Sequence, residues 1–100
     1  MTTERQRMGG RQARRAAMLC NDARFRLYLD ARRRKRNRMT REQLPDGTHS
    51  AEDAADFIRG ACGIGSRAAL DHNAQAWQMF VRIVEDYNRW QRRQHQNRGQ

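Results

Sequence analysis

The sequence predicts an all-α protein, a small domain of about four helices with a basic N-terminal helix or arm and a long C-terminal helix. Three observations carry this. Apolar residues recur at i, i+3, i+4 and i+7 in two long segments, 51–62 and 74–91. No segment alternates apolar and polar residues over four or more positions, and Val, Ile and Thr are scarce, so the pattern of a half-buried strand is missing. The single proline, Pro45, stands in a turn-forming run, Leu44-Pro45-Asp46-Gly47, which marks the clearest boundary in the chain.

Residues 1–10 (MTTERQRMGG) show no apolar period and end in a glycine pair, which predicts a flexible basic arm. From residue 11 a single helical domain is expected to run to residue 93. Its first part, 11–38, is a basic helical segment. Ala13, Ala16, Ala17 and Cys20 fall on one helical face opposite Arg11, Arg14 and Arg15. Asn21-Asp22 either interrupts that helix or caps a new one, after which Phe25, Tyr28, Leu29 and Arg32 repeat at helical spacing. The apolar face then runs out into cations, and without a partner the end of this segment is expected to fray.

Residues 39–50 read as a linker and turn. Ser50 suits an N-cap, with Glu52 and Asp53 in the first turn, where the helix dipole favours acids. Ala51, Ala54, Ala55, Ile58, Ala61 and Cys62 form an apolar stripe widened by Phe57. Gly63 is placed to end this helix, and Ser66 to cap a short one through Leu70. Asp71-His72-Asn73 offers a fresh cap for the strongest helix, 74–93, whose inner face is Ala76, Trp77, Phe80, Ile83, Val84, Tyr87 and Trp90. Residues 94–100 are expected to form a flexible tail.

The charge is segregated. Residues 1–41 hold thirteen Arg and one Lys against three acids, residues 42–88 three Arg against eight acids, and residues 89–100 four Arg and no acid. The net charge of +10 is therefore a dipole. Its centre is RRRKRNRMTR, residues 32–41. A block of like charge repels itself in a free chain and is stabilised by a polyanion. A GC-rich genome accounts for the Arg-to-Lys ratio as well as selection for the phosphate-gripping guanidinium fork does, but it does not account for the clustering. Arg32, Arg33, Arg34, Lys35, Arg36, Arg38 and Arg41 are the candidate binding residues, and Arg89, Arg92 and Arg93 form a second patch.

Other function classes find less support. Cys20 and Cys62 are too few for a disulfide framework and read as reduced core residues. His49, His72 and His95 lie far apart with no metal-ligand spacing, and no phosphate loop, nucleophile elbow or apolar carboxylate pair occurs, so neither metal, cofactor nor enzymatic activity is expected. No window has the apolar run of a signal peptide or membrane span, which predicts a soluble cytoplasmic protein without membrane contact. A homodimer would enlarge a core drawn from few apolar residues. Helix, Gly63, Ile64, Ser66 and helix again sketches a helix-turn-helix, but SRAAL is too short to read a groove and its surroundings are acidic. The aromatic residues of the last helix could stack on bases, yet they share one core stripe.

Residues 57–71 (FIRGACGIGSRAALD) and 80–90 (FVRIVEDYNRW) resemble small accessory proteins encoded by temperate bacteriophages and prophages. The resemblance implies a setting in the host cytoplasm and no catalytic residue. Since the basic run lies outside it, function rests on the run's own chemistry. The leading expectation is a nucleic-acid-binding accessory protein that grips the backbone of RNA or DNA. The alternative is an interaction module that docks its basic helix on an acidic or nucleic-acid-binding surface of a host protein complex.

Overall fold

The computed structural model describes residues 10–98, with side chains through residue 96. Four α-helices follow one another among the described residues: α1 (Arg11–Cys20), α2 (Ala23–Asn37), α3 (Ala51–Cys62) and α4 (Ala74–Arg98), with a short 3-10 helix at Arg67–Asp71 between α3 and α4. No strand occurs among the described residues. The all-α expectation holds. The predicted arm lies outside the described residues except for Gly10.

Each boundary has a local chemical cause. At the junction of α1 and α2, the Asp22 carboxylate accepts from the Arg24 amide at 2.9 Å, satisfying one of the unpaired donors at the start of α2. Ser50 and Asp53 make a reciprocal capping box at α3, with bonds of 3.0 and 2.9 Å. Gly63, at a left-handed φ of 69°, closes α3, and the Ile64 amide folds back to the Arg59 carbonyl. Asn73 Oδ1 accepts from the Ala76 amide at 3.0 Å and starts α4.

Four expectations are corrected. The cationic end of α2 is closed where fraying was expected. Arg38 takes the left-handed conformation (φ 54°, ψ 46°) and the Met39 amide bonds the Arg34 carbonyl at 2.9 Å, a wrap that satisfies the last carbonyls. Ser66 makes no side-chain capping bond. Ala61 is exposed and does not join the buried stripe of α3. The last helix continues to Arg98, so residues 94–98 extend the helix where a tail was expected.

The core forms where the inner faces meet. Ala16 and Cys20 of α1, Phe25, Tyr28 and Leu29 of α2, Ala54, Ala55 and Ile58 of α3, Leu70, and Ala76, Phe80, Ile83 and Tyr87 of α4 are buried together. Burial of that apolar surface is the main favourable term, and small residues on α1 and α3 let the helices approach closely. The far end of α4 is held to α2 by rings: Phe25 meets Tyr87 edge-on at 5.2 Å, and Tyr28 lies 5.5 Å from Tyr87 and 5.8 Å from Trp90. Both tyrosine hydroxyls reach acids across the seam, Tyr28 donating to Asp86 at 2.5 Å and Tyr87 to Asp22 at 3.1 Å. Trp77 is only partly buried, with the Arg15 guanidinium 5.5 Å above its ring, so Phe80 takes the central place. Neither cysteine is in a disulfide, and burial raises both thiols above their ordinary range.

Candidate nucleic-acid interface

Helical geometry divides the cationic run among three directions, because positions i, i+3, i+4, i+7 and i+8 form one broad stripe, here residues 29, 32, 33, 36 and 37, and the positions between them fall outside it. Arg32, Arg33 and Arg36 continue the face begun by Leu29. With Asn37, His49 and Phe57 they line a concavity of about 330 Å³. Arg32 stacks over Phe57, its guanidinium carbon 5.0 Å from the ring centroid. Arg34 points elsewhere: its guanidinium donates to the Leu44 carbonyl at 2.8 Å and pairs with Asp46 at 3.0 Å, and its side chain is only 11% exposed. This arginine is committed to holding the following loop. Lys35 and Arg38 project into solvent with no carboxylate partner among the described residues, and Arg41 sits 4.0 Å from Asp46 at the outer edge of the loop.

The loop that Arg34 secures is fixed a second time by Asp30, whose side chain is completely buried. Asp30 accepts from the Gly47 amide at 2.7 Å and the Thr48 hydroxyl at 2.5 Å, and meets His49 Nδ1 at 2.5 Å. Gly47 reaches this position with φ of 91°, a conformation that a side chain would strain. Burial works to raise the Asp30 carboxyl, but His49, Thr48 and Gly47 together hold it below its ordinary value. An ionised carboxylate only accepts, so His49 Nδ1 carries the hydrogen of this bond. His49 Nε2 has no partner and remains in contact with solvent among the described residues.

The second predicted patch lies beside the first. A groove between α2 and the end of α4 is lined by Arg24, Leu27, Ala31 and Arg34 on one side and Trp90, Gln91, Gln94 and His95 on the other, with Arg41 and Asp46 closing it. A neighbouring hollow adds Asn88, Arg92 and Gln96 to Arg24 and His95. Arg92 and Arg93 are exposed, while Arg89 pairs with Asp86 at 3.3 Å. Packing of α2 on α4 thus sets Arg24, Arg34 and Arg41 along one groove with Gln94 and His95, and Arg24 in one hollow with Arg92. Acids of residues 42–88 are partly occupied locally, as in the exposed Asp56–Arg59 pair.

Four contributors were not identified from the sequence: Asp30, His49, Arg24 and the wall formed by Phe57. Asp30 carried a signal, being the only acid between residues 23 and 41 and following directly on buried Tyr28 and Leu29. Arg24 shares a helical row with Leu27, Ala31 and Arg34, which places it over the seam with α4. His49 and Phe57 required knowledge of how the loop folds back.

The short helix after α3 cannot act as a recognition helix, since it spans five residues of 3-10 geometry. No group of three or more metal-ligating side chains occurs among the described residues, and no described helix is long and apolar enough to cross a membrane. No family model, curated protein or solved structure matches this chain.

Proposed function

We propose that this protein is a non-enzymatic nucleic-acid-binding protein that grips the phosphate backbone through the exposed cations of α2. The observation that carries the reading is the unequal use of the run. Arg34 is spent on the fold, whereas Arg32, Arg33 and Arg36 share one concave face and Lys35 and Arg38 remain open to solvent. Cations held at this spacing on a fixed helix repel one another unless a polyanion is present. Arg24 and Arg92, which share a hollow between α2 and α4, add further cations. The acidic residues nearest the exposed cations are already engaged: Asp30 by the loop, Asp46 by Arg34 and Arg41, and Asp53 by its capping box. A helix wrapped by a loop on one side suits backbone contact better than deep entry into a duplex groove, and RNA is the preferred class.

The test is a salt titration of binding. With about five phosphates engaged, the logarithm of affinity should fall against the logarithm of salt concentration with a slope of about −3 to −4 for a single strand, or −4 to −5 for duplex DNA. Changing Arg33, Lys35, Arg36 and Arg38 together to Gln should abolish binding at moderate salt and leave helicity unchanged. Affinity independent of salt, or full binding by this variant, excludes the reading.

A second reading draws on a separate observation. Met18 is 73% exposed beside a shallow hollow between α1 and α4 in which Leu19, Phe80 and Val84 are flanked by Arg15 and Asp22, which suits a protein contact. Pull-down from nuclease-treated lysate separates the two readings: one stoichiometric protein retained favours an interaction module, and loss of all partners with the nucleic acid favours the first.

A further inference from the structure

The concavity beside α2 has features that general attraction to a polyanion does not require. Three guanidiniums, one amide and one imidazole converge on a space of about 330 Å³, and no carboxylate lines it. That volume is at the small end for ligand sites, suited to a phosphate group and part of what it is attached to. Arg32 is laid over the Phe57 ring, which fixes the plane of its guanidinium. Arg33 and Arg36 rise from the same helical face one turn apart.

His49 supplies the element with least latitude. A buried carboxylate grips its Nδ1, and the Gly47 amide and Thr48 hydroxyl hold that carboxylate in turn. The ring is thereby fixed in orientation, and Nε2 is the polar atom left over. Arg32, Arg33 and Arg36 line the same concavity as this ring. Histidine with Nδ1 bound to a carboxylate gains a second donor at Nε2 when it takes up a proton, which matches an anion. The charged groups facing it are Asp30 and Arg32, Arg33 and Arg36 from α2, and from α3 Asp53, whose carboxylate feels both His49 and Arg33.

We propose that this concavity is a discrete phosphate seat, in which Arg32, Arg33, Arg36 and His49 Nε2 together hold one phosphate group, with Phe57 as its wall. The seat rests on the nucleic-acid reading for its natural ligand, and it refines that reading. One phosphate is held at a defined point and sets the register of the strand, while Lys35, Arg38, Arg24 and Arg92 contact neighbouring phosphates without fixed geometry. The phosphate is either an internal diester or a terminal monoester.

The experiment follows the side-chain nitrogens of His49, His72 and His95 by NMR during addition of inorganic phosphate, then of one oligonucleotide with and without a 5′-phosphate. His49 should shift selectively and saturably. Arg33→Gln and Arg36→Gln should each weaken phosphate binding about tenfold. His49→Asn retains a donor near the Nδ1 position for Asp30 and removes the Nε2 edge, so it should melt close to wild type yet lose the seat. A His49 shift that needs the 5′-phosphate identifies a terminal monoester, and one indifferent to it an internal diester. Equal shifts at all three histidines, or unaltered phosphate binding by His49→Asn, overturn the seat even if the salt-dependent nucleic-acid binding persists. Selective phosphate binding at His49 in a protein that binds no nucleic acid overturns the polymer reading and leaves the seat standing for a small phosphorylated ligand.

Discussion

Asp30 shows how one side chain gives a flexible segment a single conformation. A charge removed from water is tolerated only when its oxygens are fully bonded, and here three donors from consecutive residues meet it. Asp30→Ala leaves His49 and Thr48 without their partner and should cost about 3 to 5 kcal/mol, read from denaturant unfolding. Because the folded carboxyl lies below its ordinary 3.8, the stability it supplies is present above that value and is lost as pH falls through the folded one. Asp71 and Asp86 are lowered as well, so the wild-type protein should unfold in acid below about pH 4, and Asp30→Ala should show a shallower acid limb. Arg38 presents the opposite case, a long side chain in the left-handed region where glycine is favoured. Arg38→Gly should raise stability by about 1 kcal/mol and weaken nucleic-acid binding, separable by a melt and a titration on the same variant.

Among the elements, what was legible in the sequence depended on how far apart the partners stand. The capping of α2 by Asp22, of α3 by Ser50 and Asp53, and of α4 by Asn73 joins residues two or three positions apart, and the predicted helices began where these residues allow. Asp71 was read as part of the cap of α4 and instead serves α1: it accepts from the amides of Gly10, Gln12 and Ala13 at 2.9, 3.0 and 3.1 Å. Nothing local signals a bond spanning 59 residues. The contact also explains Gly10, since a Cβ there would come within 2.9 Å of the Asp71 carboxyl carbon. Burial works against the Asp71 charge, and the three amides more than offset it. Asp71→Ala should lose about 1 to 2 kcal/mol and increase amide hydrogen exchange in α1 first, whereas Asp71→Asn should retain part of the cap. The same limit hid the sharing of the basic run. Periodicity separates the Arg32–Arg36 face from Arg34, but that Arg34 holds Leu44 and Asp46 depends on the path of the loop.

At the scale of the whole molecule, cations far apart in sequence meet where α2 crosses α4: Arg24 shares a hollow with Arg92, and Arg34 and Arg41 share a groove with His95. The core assignments along α4 were largely visible, since a stripe of large apolar residues has one way to be buried. Arg24 beside Arg92 was not visible, since that juxtaposition belongs to the packing of two helices and not to either alone. One consequence concerns the heat of association. The double anchorage of the loop, at Asp30 and Arg34, and the closed end at Arg38 mean that α2 is already ordered before any ligand arrives. An arginine-rich segment that folds on its target buries new apolar surface and shows a large negative heat-capacity change. Here calorimetry at several temperatures should find a heat-capacity change near zero, an enthalpy almost independent of temperature, and far-ultraviolet dichroism of the protein unaltered by the ligand. A steep temperature dependence would mean that the cationic helix is completed by its partner.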